Sequence, residues 1–532
     1  MPDGGVEVRN LAEAILSELA RRGTRRIWGL PGGGSSLDII EAAPRFGLRF
    51  VLARHEGAAA MAAVADAELT GAPGVVLTTK GPGVGNAVNG LACATLERAP
   101  LLLLSDGFAA AQLSFVTHQV FDQRAATAAV AKGYSRGEEV SALLDLAMAA
   151  PRGAVHLDLT GEAARRPAPP VTRRAPEAPA PDLGDAASIL GAARRPVMIV
   201  GLEAVSETGA VAVRAFAEAL GCPVFVTYKA KGVLPDTHPL HAGIFTGGTL
   251  EAPLAGQADL ILQAGLDPVE LILQPWRYRA PVLDLALRPH PVRYASPAAA
   301  LHGELAASLR RLLPAARRSV WVPAEIAAHR DRALSALGWR GEGGVPPPAV
   351  VRIAQEEAEA AGRAPRVTVD AGAHMFSATA FWRCDAPRDL LISNGLATMG
   401  YALPAGIAAA LHEPARGAVA FTGDGGLMMC VGELATAAEL GVPLVTVVFN
   451  DGALSLIDIK QQSRQLPPAG VRWDRADFAA VADGFGLRGL RAGTAEEYRT
   501  ALREAFANPG PSLIDVRVDP SGYPAQLQAM RG

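Results

Sequence analysis

The chain has 532 residues, half of them hydrophobic, and its 50 Lys and Arg against 53 Asp and Glu leave a net charge of −3. That length supports about three domains with their own cores, and a near-neutral balance without a long basic run excludes nucleic acid or an acidic membrane surface as the expected partner. The apolar runs are too short to span a bilayer, no apolar leader opens the chain, and Cys93, Cys222, Cys384 and Cys430 are too scattered for a disulfide or zinc framework, so a reducing cytoplasm is expected.

Residues 7–22 place Leu11, Ile15 and Leu19 on one face at helical spacing, with Gly23 as a stop. Residues 26–30 read as a strand ending in Pro31-Gly32-Gly33-Gly34, a loop of exposed backbone. After a further helix, the strand at 49–53 ends in Arg54-His55-Glu56-Gly57, ahead of an alanine-rich helix. Strands at 75–79 and 101–105 follow, the first closed by Lys80-Gly81-Pro82-Gly83-Val84-Gly85-Asn86. Strand and helix alternate throughout, which predicts a parallel α/β sandwich over residues 1–164. Glu56 alone is a helix-start glutamate favourable to the dipole. His118, in Thr117-His118-Gln119-Val120-Phe121-Asp122-Gln123, is alone a surface histidine.

Residues 165–184 are rich in proline, alanine and arginine without an apolar period and read as a linker. A second parallel α/β domain is expected over 185–330, with strands at 196–200, 224–227 and 260–263 and a helix at 211–220. Another linker is expected over 331–348. The last domain, 349–532, opens with a helix at 350–361 and a strand at 367–369, then carries Asp370-Ala371-Gly372-Ala373-His374 and Ser393-Asn394-Gly395-Leu396-Ala397-Thr398-Met399-Gly400. The segment from Val419 to Gln462 organises that domain. An apolar run at 418–422 breaks into Gly423-Asp424-Gly425-Gly426, continues as an amphipathic segment to Leu440, and a second run at 444–449 breaks into Asn450-Asp451-Gly452. This predicts one βαβ unit, with Asp424 and Asp451 together at the carboxyl ends of parallel strands. The glycines admit an anion to the backbone and to the helix N-terminus. Two carboxylates and the Ala453 carbonyl are hard oxygen ligands that phosphate oxygens and a water would complete around Mg²⁺.

Gly-Asp-Gly followed at this distance by Asn-Asp resembles the cofactor motif of thiamine diphosphate enzymes, and the surrounding sequence is similar to their acetolactate synthase-like branch. The stretch Arg54-His55-Glu56-Gly57, its alanine-rich continuation and Gly81-Pro82-Gly83-Val84-Gly85-Asn86 resemble the pyrimidine-binding domain of the same enzymes. The resemblance covers nearly the whole chain and implies three doubly wound α/β domains: pyrimidine-binding, middle and diphosphate-binding. It implies that Glu56 bonds to the aminopyrimidine of the cofactor, with Asn86 also on the cofactor, and that Gln119 faces the reacting centre. By the same resemblance Ala373, His374, Gly423, Asp424, Gly425, Gly426, Asp451, Ala453, Leu454, Ser455 and Leu456 hold the diphosphate end, with Asp424, Asp451 and Ala453 on the metal. Met399 props the cofactor into a bent conformation, and Gly33, Thr79, His118, Gln119, Leu456 and Ile457 line the substrate pocket. In this family different subunits grip the two ends of the cofactor, so a homodimer or a dimer of dimers is expected.

The implied chemistry is decarboxylation of a 2-oxo acid, followed by transfer of the acyl unit to a second carbonyl compound or by release of an aldehyde. Decarboxylases of the family carry a protonating glutamate after the metal loop, where this chain has Leu456-Ile457, and paired histidines where it reads Thr78-Thr79-Lys80. Carboligation is therefore the first expectation, a decarboxylase or C–C lyase the second, and a non-catalytic cofactor-binding protein the third. Lys460 stands at the substrate-gating tryptophan of acetolactate synthases, and Asp451 where asparagine is usual. Phe245 is followed by Thr246-Gly247-Gly248 rather than Met-His-Gly, which counts against FAD in the middle domain and leaves that domain a structural role.

Overall fold

A computed structural model describes residues 6–137, 139–168, 182–271, 275–339, 341 and 343–532. Three six-stranded sheets, parallel at every pairing, divide it. The first runs Arg49–Leu52, Arg26–Gly29, Gly74–Thr78, Leu101–Asp106, Ala154–Leu159, Tyr134–Ser135 across the sheet. The third runs Leu390–Ile392, Arg366–Val369, Ala418–Gly423, Leu444–Asn450, Ser512–Arg517, Arg488–Ala492 and so repeats the strand order of the first. The middle sheet runs Ala299–His302, Val282–Ala286, Leu260–Ala264, Pro196–Val200, Val224–Val226, His241–Ile244, the doubly wound order of dinucleotide-binding folds.

The central strands are continuous apolar runs because helices cover both faces; Leu444–Asn450 is buried at every position. Helix Glu56–Thr70 is alanine-rich for a related reason. It is buried nearly all round, between Pro82–Leu96 of its own domain and Ala402–His412 of the C-terminal domain. The helices come close enough that a Cβ on Gly90 would sit 2.2 Å from that of Ala60. One hydrophobic core therefore runs unbroken from the first domain into the third. Beside it the buried acid Asp66 is held by the guanidinium of Arg26 (2.6 Å) and the indole N–H of Trp28 (2.7 Å). The middle domain, with its own core, is tied to the others by Tyr228, buried in the C-terminal core, and by polar contacts. Lys229 Nζ reaches Glu68 Oε1 (2.5 Å) and the carbonyl of Ile392 (3.1 Å), and Arg98 Nε reaches Asp267 Oδ2 (2.6 Å).

The expected α/β class and the βαβ unit are present, with two corrections in detail. The segment after Gly423 is two helices, Asp424–Cys430 and Glu433–Leu440. They break at Gly432, whose missing side chain leaves room for Arg54: a Cβ there would lie 3.2 Å from the Arg54 Cβ. The linker expected over 331–348 begins inside helix Pro323–Ala336, which stays ordered because Ile326 and His329 are buried against the middle domain, and it ends inside helix Pro347–Ala360. Most of the first linker, 169–181, lies outside the described residues. All four cysteines are buried free thiols, and among the described residues no helix is long and apolar enough to cross a membrane.

Candidate active site

The third sheet reverses its strand order between Arg366–Val369 and Ala418–Gly423, and a ligand crevice opens at the carboxyl ends of two such strands. One strand delivers Asp370 to His374, the other Gly423 to Gly426, and the neighbouring Leu444–Asn450 delivers Asp451 to Ser455. Asp424 is buried and spans the two loops: its Oδ1 accepts from Gly425 N and its Oδ2 from Gly452 N, both at 2.8 Å. Asp451 accepts from Ala453 N (3.3 Å) and Ser455 Oγ (2.5 Å). Burial, and then the Asp451 carboxylate, push Asp424 up to about 7, and burial raises Asp451 as well. Two confined carboxylates that resist ionising together are what a divalent cation relieves. Among the described residues no three His, Cys, Asp or Glu side chains converge on such a point. A cation here would therefore complete its shell with backbone carbonyl, water and ligand oxygens.

The glycines make a cradle. A Cβ on Gly425 would lie 3.0 Å from Leu454 Cδ2 and 3.3 Å from both Met399 Cε and Trp473 Cη2. On Gly426 it would lie 2.2 Å from Asp370 Oδ2, so the residue must be glycine. His374 follows buried Ala373 and lies tilted on Phe449 with centroids 5.1 Å apart; a backbone hydrogen bond at Phe421 anchors the ring. Burial holds it down at about 4, so it is neutral at physiological pH, and its Nε2 is buried without a partner. The glycine cradle and the paired acids fit a metal-bound diphosphate, whose charge would favour the protonated His374 ring and so make its orphaned Nε2 a donor.

The first sheet also reverses, between Arg26–Gly29 and Gly74–Thr78, and the loops from these strands carry Gly33 and Thr79. Glu56 starts its helix next door and is buried; Asn86 Nδ2 donates to its Oε2 at 3.0 Å. Its other oxygen faces Gly83, where a Cβ would sit 3.2 Å away. Gln119 is half-buried with φ +61°, and its backbone packs on Gly81, where a Cβ would meet the Gln119 carbonyl at 2.8 Å. Glu56, Asn86 and the Gln119 backbone thus gather around one glycine-rich loop. Gly33 borders open space, and His118 is exposed. Of the two residues after the metal loop expected in the substrate pocket, Ile457 is 44% exposed, while Leu456 packs against the C-terminal core.

Three residues escaped the sequence reading. Glu433 is buried, and its Oε1 accepts from Arg54 N (2.9 Å) and His55 N (3.0 Å), so the C-terminal domain holds the turn that presents Glu56. Asp370 accepts from Ala402 N and Thr422 Oγ1, both at 2.6 Å, beneath the glycine cradle. Trp473 forms part of the cradle wall from nearly fifty residues beyond Gly425. Only the acidic residue type of the first two was a signal, and nothing in their spacing gave their partners.

Comparison with known proteins agrees with this geometry. Residues 9–131 match the thiamine pyrophosphate enzyme N-terminal TPP binding domain, 183–312 its central domain, and 370–516 its C-terminal TPP binding domain. The chain belongs to the thiamine pyrophosphate-dependent enzymes. Within them it is acetolactate synthase-like. It is 29% identical to an acetolactate synthase of Bacillus subtilis, over 96% of this chain and 93% of that one. Identity is 30% with a catabolic acetolactate synthase of Raoultella terrigena (96% and 95% covered) and 32% with a probable 2-ketoarginine decarboxylase of Pseudomonas aeruginosa (95% and 93% covered).

Proposed function

We propose that the protein is a thiamine diphosphate- and Mg²⁺-dependent carboligase that decarboxylates a 2-oxo acid and transfers the acyl unit to a second carbonyl compound. Asp424, Asp451 and the Ala453 carbonyl hold the cation, while the Gly423–Gly426 backbone and His374 receive the diphosphate. When bound, the cofactor supplies the carbon nucleophile and the electron sink. Glu56 keeps a proton at the aminopyrimidine through the oxygen that Asn86 leaves free, and Gln119 contacts the reacting centre. The observation that carries carboligation is the apolar pair Leu456-Ile457 beyond the metal loop: with no acid there to deliver a proton, transfer to a carbonyl outcompetes release of aldehyde. Pyruvate incubated with protein, Mg²⁺ and thiamine diphosphate is expected to yield acetolactate or acetoin-type products. Free aldehyde as the dominant product overturns the reading in favour of a decarboxylase, which the 2-ketoarginine decarboxylase relative supports; 2-ketoarginine therefore belongs in the donor panel.

FAD has no place in this reading. At the reversal of the middle sheet, between Pro196–Val200 and Leu260–Ala264, the N–H groups of Leu202 (2.8 Å) and Asp267 (3.1 Å) donate to Glu270 Oε2, and Thr227 Oγ1 donates to Oε1 (2.5 Å). The buried side chain of Glu270 already occupies the donors that a nucleotide phosphate would need. The working unit is at least a homodimer. Glu56 bonds within its own domain, and large apolar side chains stand exposed on both halves, Met429 and Ile457 on one and Phe115 and Phe121 on the other, for a second copy to cover.

A further inference from the structure

We propose that Trp473 donates its indole N–H to the diphosphate of the bound cofactor, forming one wall of the anion cradle and setting how tightly the cofactor is held. The proposal rests on the thiamine diphosphate reading of the site and adds a ligand that the motifs do not contain.

The segment around Trp473 is strapped antiparallel onto the metal loop. Leu454 N donates to the Val471 carbonyl (2.8 Å), Trp473 N donates to the Gly452 carbonyl (2.9 Å), and Ala453 and Arg472 form a bridge. Such an approach needs glycine at 452, which has φ +74° and where a Cβ would meet the Trp473 carbonyl at 2.9 Å. The strap is stapled a second time: Arg472 Nη2 bonds Asp458 Oδ2 (2.9 Å), and Gln462 Nε2 bonds the same oxygen (2.9 Å) from helix Ser455–Ser463. Trp473 is thereby fixed to the residues that present Asp451 and the Ala453 carbonyl.

From this position its Cη2 would lie 3.3 Å from a Cβ on Gly425, beside Leu454 and Met399. The indole Nε1 is sealed from solvent and has no acceptor. A buried N–H left unpaired costs about 1–3 kcal/mol, and native structures rarely tolerate that cost without a ligand or water to relieve it. The anion here is also short of donors, because the N–H groups of Gly425 and Gly452 are already spent on Asp424 and that of Ala453 on Asp451. His374 Nε2 and Trp473 Nε1 are both buried without partners, and the Trp473 ring reaches the cradle through its Cη2 edge.

Trp473→Phe keeps the ring and deletes the donor. Calorimetric titration with thiamine diphosphate and Mg²⁺ is expected to give a Kd about tenfold higher in the variant, as for loss of a hydrogen bond to a charged group, with the unfolding midpoint of the cofactor-free protein unchanged. A Kd within about twofold of the parent overturns the proposal. Should the variant not fold, the parent labelled with ¹⁵N at its six tryptophans decides the matter. One indole N–H resonance is expected to move downfield on adding Mg²⁺ and thiamine diphosphate. No such movement, or the same movement with a 2-oxo acid alone, overturns it. Parent protein that binds no thiamine diphosphate sinks the cofactor reading, whereas parent binding with an unaltered variant sinks only the role of Trp473.

Discussion

Glu56 and Glu270 show how similar burial serves opposite ends. Glu56 is bonded through one oxygen by Asn86 and has the other against a glycine, so one site remains for an incoming proton donor. Glu56→Gln is expected to lower turnover by about 10²–10⁴-fold, the range for loss of an acid–base group, with little change in cofactor affinity; equal turnover in both would refute the role of Glu56, and no turnover in either would leave a non-catalytic protein. Glu270 has both oxygens engaged, and burial pushes it up to about 8. Because its pKa rises on folding, the folded chain binds the extra proton. Its stabilising contribution is complete below about 4.5 and is lost as pH climbs through about 8. The stability of the cofactor-free protein, read by thermal unfolding, is expected to fall across that window by a few kcal/mol, since each tenfold difference in proton affinity between folded and unfolded chain is worth about 1.4 kcal/mol. Glu270→Gln, whose amide can donate to Thr227 while its oxygen keeps the two N–H groups, should flatten that profile. An unchanged slope would refute the assignment.

Among the elements, the motif-bearing loops were the legible part. Gly423-Asp424-Gly425 and Asn450-Asp451-Gly452 each follow an apolar run, and that run, turn and helix order dictates two parallel strands with both aspartates at one edge. The break between Asp424–Cys430 and Glu433–Leu440 was not legible, since the amphipathic pattern continues through Gly432 and only the packing of Arg54 exploits the missing side chain. The second of these helices begins with Glu433, which caps the turn before Glu56 from another domain. Glu433→Ala strands the part-buried N–H groups of Arg54 and His55 and should lower stability by about 1–3 kcal/mol and turnover with it. Glu433→Gln should restore both, since its oxygen can still accept. A fully active and stable alanine variant would show that the turn holds itself.

In the whole molecule, the first and third domains share one core and the middle domain is attached through Lys229, Arg98 and the buried Tyr228, so each copy presents its first and third domains in fixed relation. Light scattering is expected to give a dimer or larger species, tightened by thiamine diphosphate and Mg²⁺ because ligand bound between copies stabilises the assembly by mass action. A monomer that binds cofactor and turns over substrate would refute the shared site. By itself the sequence determined the alternation of strand and helix, the switch-point loops and the residue types in them, because these follow from local periodicity, turn chemistry and motif spacing. Only the tertiary structure decided that Glu433 holds the Glu56 turn, that Glu270 fills the middle-domain crevice and that Trp473 lies over Gly425. Each is a contact between residues far apart in the chain, and no periodicity records which distant partner a buried polar group will meet.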